Sequence, residues 1–516
     1  MIAAAAVWCW WIGWRGSRPY EDAAILFRYV DNVAAGHGIV WNVGDAPVDG
    51  ATDLGFMLLL AAVKTSGIGA ETAALIVNSM AFVCIAGGLF VFARRRVPTL
   101  LAMLVTALFI LSPGVTLIRA GFGAVFFSGL VALAALAMFR LTDEPTVRSA
   151  LLLVSAGAGA GLVRPEGFLI AGVLIATAAA IGGRPVLRAA ALAGALLLIV
   201  GIVFVMARWA FFGYPLPNPY YKKGHGTLHI DGLVDSLEFA RTVAVIPIAL
   251  LILVGVLGHV TRRWIAYIGC ISVLLGMWAL LSSEMNYNFR FQFPTVTIVL
   301  FMIVDLGSRA VPSLSERAGA MPRTIRPLTP FLFAGVVAAH VVATQQRLSP
   351  PEPTFPQETI AKVLAQSGHD RLVVATTEAG YVCWKSGWRC IDLWGLNDKR
   401  IAHEGYLDER ALTDLHPDVI VVHAPTSPTA SSIHAARDFI DGWEAMTDPL
   451  ILFAESREYT LAAILRPKPT SGIAVYVRAG EVWSNHLASE FGAIEPTIEH
   501  FYGPSTASHP SLPTTE

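Results

Sequence analysis

Charged residues are scarce in this chain. Asp, Glu, Lys and Arg make up 15% of its 516 residues, whereas 55% are hydrophobic and the mean hydropathy is +0.59. A water-soluble globular protein usually carries about 25% charged residues, so that class is excluded. The composition therefore predicts a protein whose solvent is the lipid bilayer.

Neither sign of charge predominates. The 37 basic and 38 acidic residues leave a formal net charge of −1. This balance excludes the basic surface typical of nucleic-acid-binding proteins, so no nucleic-acid partner is expected. Only the local placement of charged residues can then indicate a function.

Cysteine is rare as well, with five residues in the chain. Three of them lie in apolar segments, which is typical of small buried side chains: Cys9, Cys84 and Cys270. Cys383 and Cys390 flank a polar stretch in the C-terminal third. These two can form a disulfide if their compartment is oxidising.

The N-terminal residues lack two marks of a signal peptide. No basic segment precedes the apolar residues 2–14, and no small-residue cleavage site follows them. We therefore expect residues 2–14 to form a first membrane span.

Long apolar runs are abundant. We predict about eleven spans, at residues 2–14, 70–93, 97–117, 121–139, 149–163, 168–182, 189–207, 243–260, 264–281, 294–306 and 328–344. Several are shorter than the roughly 20 residues that an upright helix needs. A further run at 54–63 is shorter still, which favours an interfacial or re-entrant helix. The prediction is a polytopic all-α membrane domain over residues 1–344.

Arginine residues gather on one side of these spans. They lie at positions 94–96, 140 and 148, 184 and 188, 262 and 263, and in the loop that begins near 309. By the positive-inside rule this side is the cytoplasm. The other side of the cell membrane then holds the first outer loop (residues 15–69), the turn at 164–167, the loops 208–242 and 282–293, and the chain after 345.

The last third of the chain changes character. A proline-rich linker near residue 350 is followed by short β-like runs that alternate with helical stretches. We expect an extracytoplasmic soluble α/β domain over residues 345–502, which is an ordinary domain size. Residues 503–516 are rich in Ser, Thr and Pro, so we predict a disordered tail.

The first outer loop carries a helical pattern and a pair of acids. Apolar residues recur at spacings of three and four, at Ala23, Phe27, Val30 and Ala34. This predicts a short amphipathic helix along the membrane surface that stops at Gly36. Asp22 stands at its start beside Glu21. Asp22 is either an N-cap or, with Glu21, a general base or a cation ligand.

Other polar residues complete the set of candidates. In the first loop, Asp49 can close the same site, and Arg28 and His37 are candidate substrate contacts. The other outer loops contribute Arg164, Glu166, Asn218, Tyr221, Lys222 and Arg290. Each alone is an ordinary interfacial anchor, because Tyr, Lys and Arg are favoured at membrane edges. Together they describe a site for an anionic group near the bilayer surface, such as a lipid-linked phosphate.

These loops also resemble a known family. The first loop reads EDAAILFRYVDNVAAGHGIVWNVGDAPVDGAT. It is similar to the first-loop signature of GT-C fold membrane glycosyltransferases, in particular the actinobacterial terminal β-(1→2)-arabinofuranosyltransferase family. Further similar stretches, in the same order along the chain, are LVRPEG, FGYPLPNPYYKK, NFRFQFP, TTEAGYVCWKSGWRCIDLWGLNDKRIAH and HPDVIVVH.

The resemblance implies a polyprenyl-phosphate sugar donor, with decaprenyl-phosphoryl arabinofuranose in the closest relatives. It implies a polysaccharide or glycolipid acceptor in cell-wall arabinan, and it assigns the family's catalytic aspartate to Asp22. Two positions depart from the family pattern: Glu21 replaces an Asp, and 49–52 reads Asp-Gly-Ala-Thr where Glu-Gly-Tyr-Thr is usual. Ala51 thereby lacks an aromatic ring, so another sugar such as mannose stays an alternative.

The resulting hypothesis is a transfer reaction. An acceptor hydroxyl displaces polyprenyl phosphate, with Asp22 as base or charge stabiliser and with Arg164, Lys222 and Arg290 on the leaving phosphate. No cofactor is required, although Glu21, Asp22 and Asp49 could bind a divalent cation. One alternative is a transporter or flippase of lipid-linked sugars. It is disfavoured because alternating access needs a polar site near the midplane, whereas these charges collect at the outer face. A second alternative is a non-catalytic assembly protein that retains the fold, and the two departures in the first loop are its only support.

The orientation can be tested with fusions. A reporter that is active only in the cytoplasm should be silent when fused after Arg347 and active when fused after Glu144, which lies between Arg140 and Arg148. Signal from the Arg347 fusion would contradict the predicted orientation.

Overall fold

The computed structural model describes twelve stretches of the chain. They are residues 2–14, 19–224, 226–257, 261–284, 286–319, 329–345, 356–369, 372–405, 407, 409–424, 443–468 and 471–494. The predicted tail at 503–516 lies outside them. The chain divides into two units: Met1–Ile39 with Ala51–Pro351, here called the membrane unit, and Val40–Gly50 with Glu352–Glu516, the C-terminal unit.

The described part of the membrane unit is helical. Its helices are α1 (Ile2–Trp8), α2 (Ala23–Ala34), α3 (Leu54–Lys64), α4 (Ala70–Arg94), α5 (Thr99–Ile110), α6 (Gly114–Arg119), α7 (Ala124–Asp143), α8 (Val147–Val163), α9 (Glu166–Ile181), α10 (Arg184–Phe212), α11 (Asn218–Gly224), α12 (Ile230–Thr242), α13 (Val245–Leu257), α14 (Thr261–Gly276), α15 (Phe293–Gly319) and α16 (Thr329–Gln345). Short 3-10 turns lie at Met277–Leu280 and Tyr287–Phe289.

The chain is a multi-pass membrane protein, but the predicted span count is not confirmed. Within the described residues, six helical segments are long and apolar enough to cross a bilayer, or seven if α12 and α13 count as one bent span. The predicted spans at 149–163 and 168–182 correspond to α8 and α9, which have 17 and 16 residues. Short apolar helices can pack inside a protein as well as cross a membrane, so the count of about eleven spans stays a prediction.

The helices α8 and α9 pack as a hairpin, and the turn between them carries Arg164. Thr146 and Ser149 form a capping box at the start of α8. A Cβ atom on Gly167 would lie 2.3 Å from the carbonyl carbon of Ala160, so only glycine allows the two helices to approach this closely. The close approach positions the turn that carries Arg164.

The first-loop helix is present where the spacing predicts it. It runs over Ala23–Ala34, and Gly36 follows with φ of +83°. Its residues from Ala23 to Val30 are all buried, including Arg28. Protein therefore covers all sides of these two turns, and the position of the helix along the membrane surface stays a prediction. The helix α3, with 11 residues, is too short to span, as expected.

The C-terminal unit is an α/β domain, as predicted. Its strands are β1 (Val373–Thr376), β2 (Arg389–Asp392), β3 (Val419–Ala424), β4 (Tyr459–Lys468) and β5 (Ser471–Arg478). The order in the sheet is β2-β1-β3-β5-β4, parallel across β2, β1 and β3 and antiparallel beyond. Its helices are α17 (Pro356–Gln366), α18 (Tyr381–Ser386), α19 (Lys399–Glu404), α20 (Glu409–Leu415), α21 (Trp443–Ser456) and α22 (Val482–Gly492). Apolar residues such as Ile420 and Ile451 form its core.

A piece of the first loop belongs to this C-terminal unit. The Asn42 side chain accepts a hydrogen bond from the Cys390 N–H (2.9 Å) and donates to the Cys390 carbonyl (3.1 Å), so it extends the edge of β2 as a strand would. Trp41 Nε1 donates to the same carbonyl. Cys390 is joined to Cys383 by a disulfide. Asp49 is buried in this same segment.

Candidate functional site

A cluster of charged residues lies where several helices of the membrane unit begin. Asp22 precedes α2, Asp53 precedes α3, and Arg164 separates α8 from α9. Lys223 is in α11, and Arg290 lies just before α15. Positions before a helix are favourable for carboxylates because the first backbone N–H groups have no partner within the helix.

Arg164 is held by two carboxylates. Its guanidinium lies 3.4 Å from Asp53 Oδ1 and donates to Glu166 Oε1 at 3.0 Å, and all three side chains are largely buried. Burial by itself would lower the pKa of Arg164, but the charges of Glu166 and Asp53 and the Glu166 hydrogen bond together raise it. Arg164 is thus paired with two carboxylates, and the three side chains together tie the start of α3 to the start of α9.

Asp53 makes a further bond that sequence analysis missed. Its Oδ2 accepts from the Gly123 N–H at 2.9 Å. A Cβ atom on Gly123 would lie 2.9 Å from that same oxygen, so glycine is required for the approach. The sequence signal for Asp53 is the same as for Asp22, an acid directly before an apolar helix.

Arg290 is a buried cation of a different kind. Its guanidinium carbon lies 3.6 Å above the centre of the Phe122 ring and 5.2 Å from that of Phe291. The guanidinium carbon of Arg164 also lies 5.2 Å from the centre of the Phe291 ring. Among the described residues no carboxylate pairs with Arg290, and its buried Nε has no hydrogen-bond partner. Aromatic rings and the more distant acids Asp22 and Asp53 stabilise the charge.

The turn before Arg290 is strained. Asn288 and Phe289 have φ of 51° and 56°, which non-glycine residues rarely adopt. Asn288 Nδ2 donates to the Tyr20 hydroxyl at 3.1 Å, and the rings of Tyr20 and Tyr287 stack with centroids 4.4 Å apart. Such strain concentrates at functional sites, where surrounding contacts hold it in place.

Lys223 is a third buried cation of the cluster. Its Nζ donates to the carbonyl of Glu284 at 3.3 Å. Burial lowers the pKa of the Lys223 ammonium, and the positive charges of Arg290 and Arg164 act in the same direction. The carboxylates of Glu284 and Asp22 oppose the shift.

Asp22 is not a conventional helix cap. It occupies the N-cap position of α2, but its side chain makes no capping hydrogen bond and its φ and ψ are already helical. Its charge acts on both Lys223 and Arg290. The sequence left open whether Asp22 is an N-cap or a functional carboxylate. The missing capping hydrogen bond removes the main support for the N-cap.

The remaining first-loop candidates are divided. Glu21 is half-buried beside Asp22, and Arg28 is buried in α2. His37 is exposed in the turn that follows α2. Asp49 belongs to the C-terminal unit, whereas the cluster is in the membrane unit.

The candidates from the loop after α10 are mostly buried. Asn218 begins α11, and its buried Nδ2 has no hydrogen-bond partner in the described structure. Lys222 is buried as well. Tyr221 is half-buried and contacts the rings of Tyr214 and Tyr220, and burial raises the pKa of its hydroxyl.

A divalent cation finds no ready set of ligands in the described stretches. No group of three or more His, Cys, Asp or Glu side chains there is arranged to hold a metal ion. Of the three predicted cation ligands, Glu21 and Asp22 belong to the membrane unit and Asp49 to the C-terminal unit.

Comparison with known proteins establishes the fold. The crystal structure of ArnT from Cupriavidus metallidurans bound to undecaprenyl phosphate matches with a TM-score of 0.60 and 10% identity, over 92% of this chain and 97% of that one. The apo structure of the same ArnT matches with a TM-score of 0.58 and 11% identity over the same shares. The predicted GT-C type membrane fold with a C-terminal α/β region is thereby confirmed.

Other matches are weaker or local. The Archaeoglobus fulgidus oligosaccharyltransferase, in complex with zinc and sulfate, has a TM-score of 0.47 and 11% identity, over 92% of this chain and 73% of that one. A family model described as "Domain of unknown function (DUF8728)" matches residues 342–476. No curated protein matches the sequence.

Replacing Arg164 by Met should lower the stability of the protein, whereas replacing Arg290 by Met should not. Arg164→Met leaves two buried carboxylates without their cation, which should cost about 3–5 kcal/mol of stability. Arg290→Met removes a buried charge that has no carboxylate partner, so stability should stay the same or rise. Thermal unfolding of both ligand-free variants in one detergent measures the difference. Equal losses would contradict the pairing described for Arg164.

Proposed function

We propose that this protein is a membrane glycosyltransferase that takes a sugar from a polyprenyl-phosphate carrier. The observation that carries the proposal is Arg290, a buried guanidinium that no carboxylate neutralises among the described residues. Its charge interacts with that of another buried cation, Lys223, in a fold shared with ArnT. The ArnT crystal structure contains undecaprenyl phosphate.

Phosphate is the ligand that such a pair of cations favours. Burying a cation without a counter-ion is costly, and a bound anion offsets that cost. A guanidinium can donate two parallel hydrogen bonds to phosphate oxygens, while an ammonium contributes a compact charge. We therefore assign the donor phosphate to Arg290 and Lys223, with Lys222 and Asn218 as further candidates.

Arg164 has a different role from the one expected of it. Its charge is already balanced by Asp53 and Glu166, so it has little left for a phosphate. We assign it to positioning, since it packs against Phe291 next to Arg290. Glu166 likewise serves to hold Arg164.

The proposed reaction is a displacement at the anomeric carbon. A hydroxyl oxygen of the acceptor forms the new bond to this carbon, the bond from the carbon to the phosphate oxygen breaks, and the phosphate leaves with the electron pair. Arg290 and Lys223 stabilise the charge that develops on the phosphate. Asp22 takes the hydroxyl proton or stabilises charge on the sugar.

The sugar and the acceptor follow from the family resemblance alone. We propose arabinofuranose as the sugar and an envelope polysaccharide or glycolipid as the acceptor, on the outer face of the cell membrane. Mannose is the alternative sugar. A flippase of lipid-linked sugars would also need a phosphate site, but it would release no free polyprenyl phosphate.

Asp22→Asn should nearly abolish transfer. The amide can neither take a proton nor carry charge, so turnover at saturating donor should fall on the order of a hundredfold or more. The matched control is Asp31→Asn in the same helix, where the carboxylate pairs with Lys64 at 2.8 Å, and its turnover should stay within about twofold. Release of labelled polyprenyl phosphate by monodisperse protein is the measurement.

Two outcomes would count against this proposal. Near-normal turnover of Asp22→Asn would remove Asp22 from the mechanism. A protein that releases no polyprenyl phosphate from any labelled donor, but moves intact donor from one leaflet of a vesicle membrane to the other, would be a flippase.

A further inference from the structure

The helix α12 has two sharply different faces. Its apolar residues at helical spacing are exposed, with Ile230 at 79% and Leu237 at 67% of their full accessibility. Val234, between them on the same stripe, is 53% exposed. An exposed apolar stripe of this length is unusual on a helix surrounded by water.

The opposite face of α12 is packed against the chain before α15. A Cβ atom on Gly232 would lie 2.2 Å from the carbonyl oxygen of Trp278, so the helix and that turn meet through backbone. Trp278 stacks in turn on Phe291, with ring centroids 5.2 Å apart. Phe291 is the ring that Arg290 and Arg164 share.

Polar side chains of α12 bind the segment around Arg290 through hydrogen bonds. Asp231 accepts from the Ser283 N–H at 2.6 Å, and Asp235 accepts from Asn286 Nδ2 at 2.8 Å. Asn286 Nδ2 also donates to Gln292 Oε1 at 2.9 Å, while its own Oδ1 accepts from the Phe291 N–H. The residues on both sides of Arg290 are therefore anchored to α12.

The surroundings of α12 indicate what covers its apolar stripe. The helix continues into α13 through a bend of 71°, and together the two pass as one bent membrane segment. α13 also exposes apolar side chains, including Leu253 and Val256, as expected of a surface that faces lipid. A bend of this size allows α13 to enter the bilayer while α12 lies along the bilayer surface.

We propose that α12 lies flat in the interfacial region of the bilayer and that this lipid contact holds the Arg290 turn in its site geometry. Lipid covers the stripe of Ile230, Val234 and Leu237. On the other sides of the helix, Asp231 and Asp235 accept hydrogen bonds from the segment before Arg290, and Gly232 packs against the backbone of Trp278. The consequence for donor binding rests on the proposed function, but the lipid contact and its effect on the turn do not.

Depth measurements test the orientation of the helix. A fluorescent label attached to cysteine at position 230, 234 or 237, one at a time in a background without the free cysteines, is placed in nanodiscs containing doxyl lipids. All three labels should be quenched best by the shallow 5-doxyl lipid, at similar depths. A label at Met80, exposed on the spanning helix α4, is the control for lipid contact.

The alternatives give different patterns. Positions 230 and 237 are about 10 Å apart along a helix axis, so a helix that crosses the membrane would give clearly different depths and overturn the proposal. Absence of quenching at all three sites, with quenching at Met80, would mean that water or protein covers the stripe, which also overturns it.

Amide hydrogen exchange tests the coupling without any donor. Leu237→Asn should weaken the lipid contact and speed exchange of the amides of residues 286–292 by about tenfold or more in nanodiscs. The matched control is Leu198→Asn, because Leu198 is equally exposed on the spanning helix α10. That control should leave these amides unchanged. Unchanged exchange in Leu237→Asn, or equal acceleration in both variants, would reject the coupling whether or not the protein transfers sugar.

Discussion

The candidate site depends on one buried ion group, Arg164 between Asp53 and Glu166. It joins the starts of α3 and α9, and through Asp53 it also holds the backbone of Gly123. The two carboxylates offset the cost of burying the Arg164 guanidinium, which a buried cation without a counter-ion would pay in full. The arrangement of the surrounding helices is therefore tied to a fixed balance of charge.

That balance explains why Arg290 stands out. The two arginines touch the same ring of Phe291, but only Arg164 has acids within ion-pair distance. Repulsion from Arg164 and burial both make the charge on Arg290 costly, and the strained turn at Asn288 and Phe289 adds to the cost. A protein retains such a cost where function requires it. In our proposal the requirement is an anionic phosphate.

The parts predictable from sequence were those governed by local pattern. Apolar spacing predicted α2, because helical periodicity survives in a buried helix as well as in an amphipathic one. Position at a membrane edge selected Asp22, Arg164, Glu166 and Arg290 as candidates. The change of composition near residue 350 predicted the C-terminal α/β domain. The span count was less predictable, because α8 and α9 are apolar but short.

What could not be predicted were the pairings between distant residues. Nothing in the local sequence links Asp53 to Arg164. Their ion pair, which occupies Arg164 with a carboxylate of the protein, was therefore missed. Asn42 binds the Cys390 backbone across 348 positions, and this assigns a piece of the first loop, with Asp49, to the other unit. Such pairings depend on how whole helices and strands pack together, and a short stretch of sequence carries no information about that packing.

The most direct test of the central claim is the affinity of undecaprenyl phosphate for the purified protein and its variants. Native mass spectrometry with the lipid titrated into detergent-solubilised protein can measure it. The account predicts that Arg290→Met weakens binding by about tenfold or more, the usual scale of a lost charge-assisted contact. Equal affinity for the wild type and a stably folded Arg290→Met protein would contradict it.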